Sequence, residues 1–107
     1  MQFRRAIERG NVVIAEATAH EIALSLEEAL QLVLLYAAHE PAKLERAALR
    51  WFRRYLDESR DVSLLQTQIA LAALGRIGRS DHDQAAATLA AMAREATRNT
   101  SARRVAS

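Results

Sequence analysis

Apolar residues recur along the chain at helical spacing, and glycine, proline and capping residues divide the recurrence into about six segments. Residues 2–9 form a short first helix closed by Gly10. Asn11 can cap a second helix to about residue 23, its side-chain oxygen accepting from an otherwise unpaired N–H. Ser25-Leu26-Glu27-Glu28 fits a capping box and opens a third helix to about His39. Pro41 suits the first turn of a fourth, where its missing N–H costs nothing, and that helix should run to about Ser59. Ser63-Leu64-Leu65-Gln66 is a second capping box, opening a fifth helix that ends near Gly75 to Gly78. Ser80 or Asp81 caps a sixth, to about Thr97. Beyond it, apolar periodicity stops. The expected organisation is one helical bundle domain over residues 1–97 and a flexible tail over 98–107.

The helices differ in what their patterns demand. On the fourth, Lys43, Arg46, Arg50, Arg53, Arg54, Asp57 and Arg60 share one side, and Leu44, Ala47, Ala48, Leu49, Trp51, Phe52, Tyr55 and Leu56 the other. An apolar arc that wide contacts more than one neighbour. In the third, Leu30, Leu32, Val33, Leu34 and Leu35 cannot share one face, so it should be central and well buried. The sixth has a narrow stripe of Ala85, Leu89, Met92, Ala93 and Ala96, which buries little area per residue. The third to fifth helices are therefore expected to form the core, and the sixth its weaker end. Ser25-Leu26 and Ser63-Leu64 stand 38 residues apart, and the same offset aligns Ala47 with Ala85, Ala48 with Ala86 and Trp51 with Leu89. Two stacked helical hairpins would produce that echo, as would chance in an Ala/Leu-rich chain.

Composition narrows the fold class. At 107 residues the chain has room for one domain. It contains 23 alanines, no Cys, one Pro and three Gly. Those counts exclude a disulfide framework, a thiolate metal site and a cysteine nucleophile, and they oppose an all-β fold. The run from Ala29 to Ala38 is strongly apolar but only ten residues long. A membrane span needs about 18, so it reads as a buried helix. Glu8 and Gly10 interrupt the N-terminal stretch before a signal-peptide core can form, and a cytoplasmic protein is expected. The fold expectation is all-α: a single-domain bundle of about six helices.

Candidate chemistry is sparse. The histidines are His20, His39 and His82. Glu16 and His20 lie four apart and could form half of a metal site. Asp81-His82-Asp83 is rich in ligand types, but successive residues at a helix start point in different directions, and Asp there already serves the helix dipole. There is no Gly-x-Ser-x-Gly elbow, phosphate-binding loop or dinucleotide fingerprint. No catalytic residue, metal, cofactor, membrane or small-molecule ligand is expected. A concave pocket lined by Glu16, His20 or Tyr36 would favour an enzyme, and a filled core would count against one.

Charge is segregated. Lys and Arg number 15 and Asp and Glu 13, a net of +2, with a single Lys, Lys43. Residues 11–40 hold five Glu and no Lys or Arg, whereas residues 41–60 hold six basic and three acidic side chains. Three readings follow: solvated faces, steering of a protein partner or second copy, or phosphate contacts by Arg46, Arg50, Arg53, Arg54 and Arg60, with Arg103 and Arg104 in the tail. A standard helix-turn-helix reader is excluded, because the sixth helix would offer Asp81 and Asp83 to the groove and then mostly Ala. Trp51, Phe52 and Tyr55 cluster on the apolar arc and are either core or an interface hot spot, with Tyr36 as a packing neighbour.

Arg-Ala-Ile-Glu-Arg-Gly-Asn (5–11), Ser-Leu-Glu-Glu-Ala-Leu (25–30) and Arg-Ala-Ala-Leu-Arg-Trp-Phe (46–52) together resemble small Ala/Arg-rich helical proteins of high-GC Gram-positive bacteria. The likeness spans roughly residues 4–75 and implies a bacterial, helical, cytosolic protein with no activity attached. The expected function is a non-catalytic interaction or adaptor protein. Its partner is another protein or a second copy, since so little of the third and fifth helices is polar. The alternative is a nucleic-acid-associated accessory protein using the Arg stripe.

Overall fold

The first and last turns of each helix carry the signals that set its limits. In a computed structural model, described over residues 2–59, 61–79 and 81–106 with side chains to Arg98, six α-helices form an all-α bundle. They are α1 (Gln2–Arg9), α2 (Val12–Glu21), α3 (Leu26–His39), α4 (Leu44–Glu58), α5 (Leu64–Arg76) and α6 (His82–Ala106). A 3-10 turn over Pro41–Lys43 leads into α4. Asn11 Oδ1 accepts from the Ile14 N–H at 3.1 Å. Both capping boxes form: Ser25 with Glu28, and Ser63 with Gln66. Gly10 turns the chain at φ +69°, where an L side chain would be strained. Among the described residues, no helix is long and apolar enough to cross a membrane.

Consecutive helices pair, α1 with α2, α3 with α4 and α5 with α6, and α3 joins the pairs. On one side of α3, Phe3, Ala6 and Ala15 pack against Leu35. On the other, Leu26, Leu30, Val33 and Tyr36 meet Ala47, Trp51 and Tyr55 of α4 and Leu89, Ala93 and Ala96 of α6. The expectation of a central third helix holds, because a helix apolar all round can be covered only from several sides.

Two expectations about the later helices need correction. The core takes in α6 as well as α3, α4 and α5: α6 packs directly on α3, while α5 packs on α4 and α6 and brings Ala70 and Ala73 into the same cluster. The alanine stripe of α6 is what brings it inward. Ala85, Ala93 and Ala96 let the helix approach closely, and Leu89, between them on the stripe, is fully buried. Arg94 adds an ion pair to Glu27 on α3 at 2.7 Å. Nor does α6 stop near Thr97, since its backbone continues helical to Ala106.

Candidate functional site

The 3-10 turn and α3 bring together groups that sequence spacing kept far apart. Glu16 on α2 projects toward the C-terminal half of α3, where the Tyr36 hydroxyl donates to its Oε2 at 2.8 Å. Lys43 Nζ donates to both Glu16 oxygens at 3.3 and 3.4 Å and pairs with Glu40 at 3.2 Å. The same ammonium lies 5.7 Å above the Tyr36 ring. Tyr36 and Glu16 line a cleft with Ala19 and His20 of α2, Ala29, Leu32 and Val33 of α3, and Ala47, Arg50, Trp51 and Arg54 of α4. Its volume is about 270 Å³. This is the concave pocket whose lining by Glu16, His20 and Tyr36 would favour an enzyme.

Its electrostatics centre on the contact between Glu16 and Tyr36. The Tyr36 hydrogen bond, opposed by desolvation and reinforced by Lys43, holds the Glu16 carboxyl below its usual range. Burial, then the Glu16 carboxylate, push the Tyr36 phenol up to about 12. A general base or acid at neutral pH needs the opposite tuning, toward 7. At neutral pH this pair is a settled donor and a settled acceptor. Among the described residues, no group of three or more His, Cys, Asp or Glu could hold a metal. His82 Nδ1 accepts from the Gly78 N–H at 2.9 Å and Asp81 pairs with Arg76, so both serve the α5–α6 corner.

The Arg stripe divides. Arg46, Arg50 and Arg53 are exposed on α4. Arg54 is half-buried, bonded to Glu58 and, at 2.6 Å, to the Leu24 carbonyl. Together with the Trp51 indole, which donates to the Leu26 carbonyl at 2.9 Å, it clamps the α2–α3 junction onto α4. Arg60, Arg103 and Arg104 lie outside the residues whose side chains are described. Trp51 and Tyr55 are buried and stack at 5.5 Å, while Phe52 is half-buried against them. Trp51 and Tyr55 are therefore core, and Phe52 lies at its edge.

A second surface lies on α5, whose lack of polar residues pointed to a partner without showing which side chains would meet it. Along α5, Leu64, Leu65, Ile69 and Leu71 are 77, 66, 42 and 52% exposed, and Leu49 of α4 is 57% exposed. Leu49 and Leu71 both line a groove of about 400 Å³ between α4 and α5, together with Leu44, Ala48, Leu74 and Ile77. Glu45 and Arg79 also line it. The available signal was the uncharged stretch from Val62 to Gly75, which alone does not separate a covered helix from an uncovered one.

No family model matches the chain, and neither a curated protein nor a solved structure matches it.

Proposed function

We propose that this is a non-catalytic interaction protein whose partner is a second copy of itself, joined through the outer face of α5 and the α4–α5 groove. The apolar exposure of α5 carries the reading. A helix at the end of a stack normally turns a polar face outward, yet this one shows Leu64, Leu65, Ile69 and Leu71. The 38-residue echo makes the contrast concrete. Leu26 and Val33 of α3 are 1 and 3% exposed, and Leu64 and Leu71, at the same offset in α5, are 77 and 52% exposed. A second copy is favoured because the face is nearly uncharged, leaving no charge of one copy unpaired against the other. The groove also carries one acid and one base, Glu45 and Arg79, which a two-fold axis can bring into opposition.

The magnitude fits a reversible dimer. The five exposed side chains amount to about three fully exposed leucines per copy. At roughly 2 kcal/mol each, burying both sets gives on the order of 12 kcal/mol. An association cost of about 5 kcal/mol then leaves a dissociation constant on the order of 10 μM.

The test is Leu65→Glu combined with Leu71→Glu, two exposed positions where charge does not disturb the core. Light scattering should give a mass that rises with concentration for the native chain and a constant monomer mass for the variant, with equal helical circular dichroism. A native mass that stays monomeric refutes self-association. Nucleic-acid binding, the other reading, has exposed Arg46, Arg50 and Arg53 in its favour. It requires salt-sensitive binding that disappears when these three become Glu.

A further inference from the structure

The cleft between α2, α3 and α4 is a hollow for a definite reason. Three helices meet there, and each contributes an alanine: Ala19, Ala29 and Ala47. Leu32, Val33 and Trp51 complete the apolar part of its lining. Its volume, about 270 Å³, exceeds the roughly 150 Å³ that suffices for benzene, so one ring or branched chain with a short arm fits.

The charged groups on the cleft are Glu16, Arg50 and Arg54, and the exposed His20 lies beside them. Glu16 is neutralised by Lys43 and bonded to Tyr36. Arg54 is taken by Glu58 and the Leu24 carbonyl. Arg50 is the exposed guanidinium on the lining, and guanidinium matches a carboxylate with two parallel N–H bonds. We propose that this cleft is a binding site for a small monocarboxylate with a compact apolar body, the carboxylate on Arg50 and the body over Ala29, Ala47, Val33 and Trp51. The site is separate from the α5 face, so neither proposal depends on the other.

Trp51 is the sole tryptophan of the chain and lines the cleft, so its fluorescence reports occupancy directly. The probes are phenylacetate and its uncharged counterpart phenylacetamide. Phenylacetate should change Trp51 emission saturably, with a dissociation constant on the order of 100 μM. Arg50→Gln should weaken phenylacetate about tenfold and leave phenylacetamide unchanged. Ala29→Leu, which fills the hollow from a half-buried position, should remove binding of both. If Ala29→Leu fails to fold, the Arg50→Gln comparison decides alone, since that side chain is exposed. The proposal is overturned by the absence of a saturable response up to about 10 mM. Equal affinity for acid and amide, or an Arg50→Gln chain that binds phenylacetate as the native chain does, overturns it as well.

Discussion

Replacing Tyr36 by Phe deletes one oxygen and tests the electrostatics of the α2–α3 contact at both ends of the pH scale. The hydroxyl donates to Glu16 at 2.8 Å, and the residue is 5% exposed. Lys43 still faces Glu16 in the variant, so the carboxylate is not orphaned. The loss at neutral pH should then sit at the low end for a bond to a charged group, about 1.5 kcal/mol. For a domain of this size that lowers Tm by roughly 6 °C. Alkali reverses the order. The phenol is raised from 10.0 to about 12, so its contribution is complete below pH 10 and is lost as pH rises through 12. At 1.36 kcal/mol per pH unit, the native chain forfeits roughly 3 kcal/mol over that window, which the Phe variant, having no phenol there, keeps. Lys43 and Tyr55 titrate in both chains and cancel in the difference. Urea unfolding at one protein concentration should show the two stabilities crossing near pH 11. A stability gap that stayed constant from pH 8 to about 12 would refute the assignment of the raised phenol to Tyr36.

Acid acts on the partner with the opposite sign. The lowered Glu16 carboxyl stabilises the fold above its ordinary value of 4.5, and that contribution is lost as pH falls below it, so Glu16→Gln should flatten the acid limb of the stability profile. Leu89→Ala should cost about 3 kcal/mol in urea unfolding, because the side chain is fully buried in the alanine stripe of α6; a cost under about 1 kcal/mol would return α6 to the periphery. Ser25→Ala and Ser63→Ala should each lower stability by about 1 kcal/mol, since each opens a formed capping box.

Helix limits were legible because short-range chemistry sets them. Asn11, Ser25, Ser63 and Gly10 act within one turn of themselves and do in the structure what their identities imply, while Pro41 opens a 3-10 turn and α4 itself begins at Leu44. The centrality of α3 was legible too, from apolar residues on every side. Which helix covers which was not. The alanines of α6 bury little area each, so area reasoning put that helix at the periphery, whereas small side chains are what allow it to reach α3 and α4. The leucines of α5 carry the opposite lesson: their hydrophobicity suggested core, and only the packing leaves Leu64 and Leu65 facing outward. The Glu16–Tyr36–Lys43 network was hidden for another reason. Its members lie 20 and 27 positions apart from Glu16, beyond any helical period. Arg54 read as part of a basic stripe, yet its guanidinium reaches across 30 positions to Leu24.

Self-association through α5 is decided most directly by sedimentation equilibrium of the native chain from about 1 to 100 μM, the range that brackets the expected dissociation constant. The account predicts a weight-average mass rising from the monomer value of 11.9 kDa toward twice that figure, with half-conversion on the order of 10 μM. A mass fixed at 11.9 kDa across the whole range would contradict it.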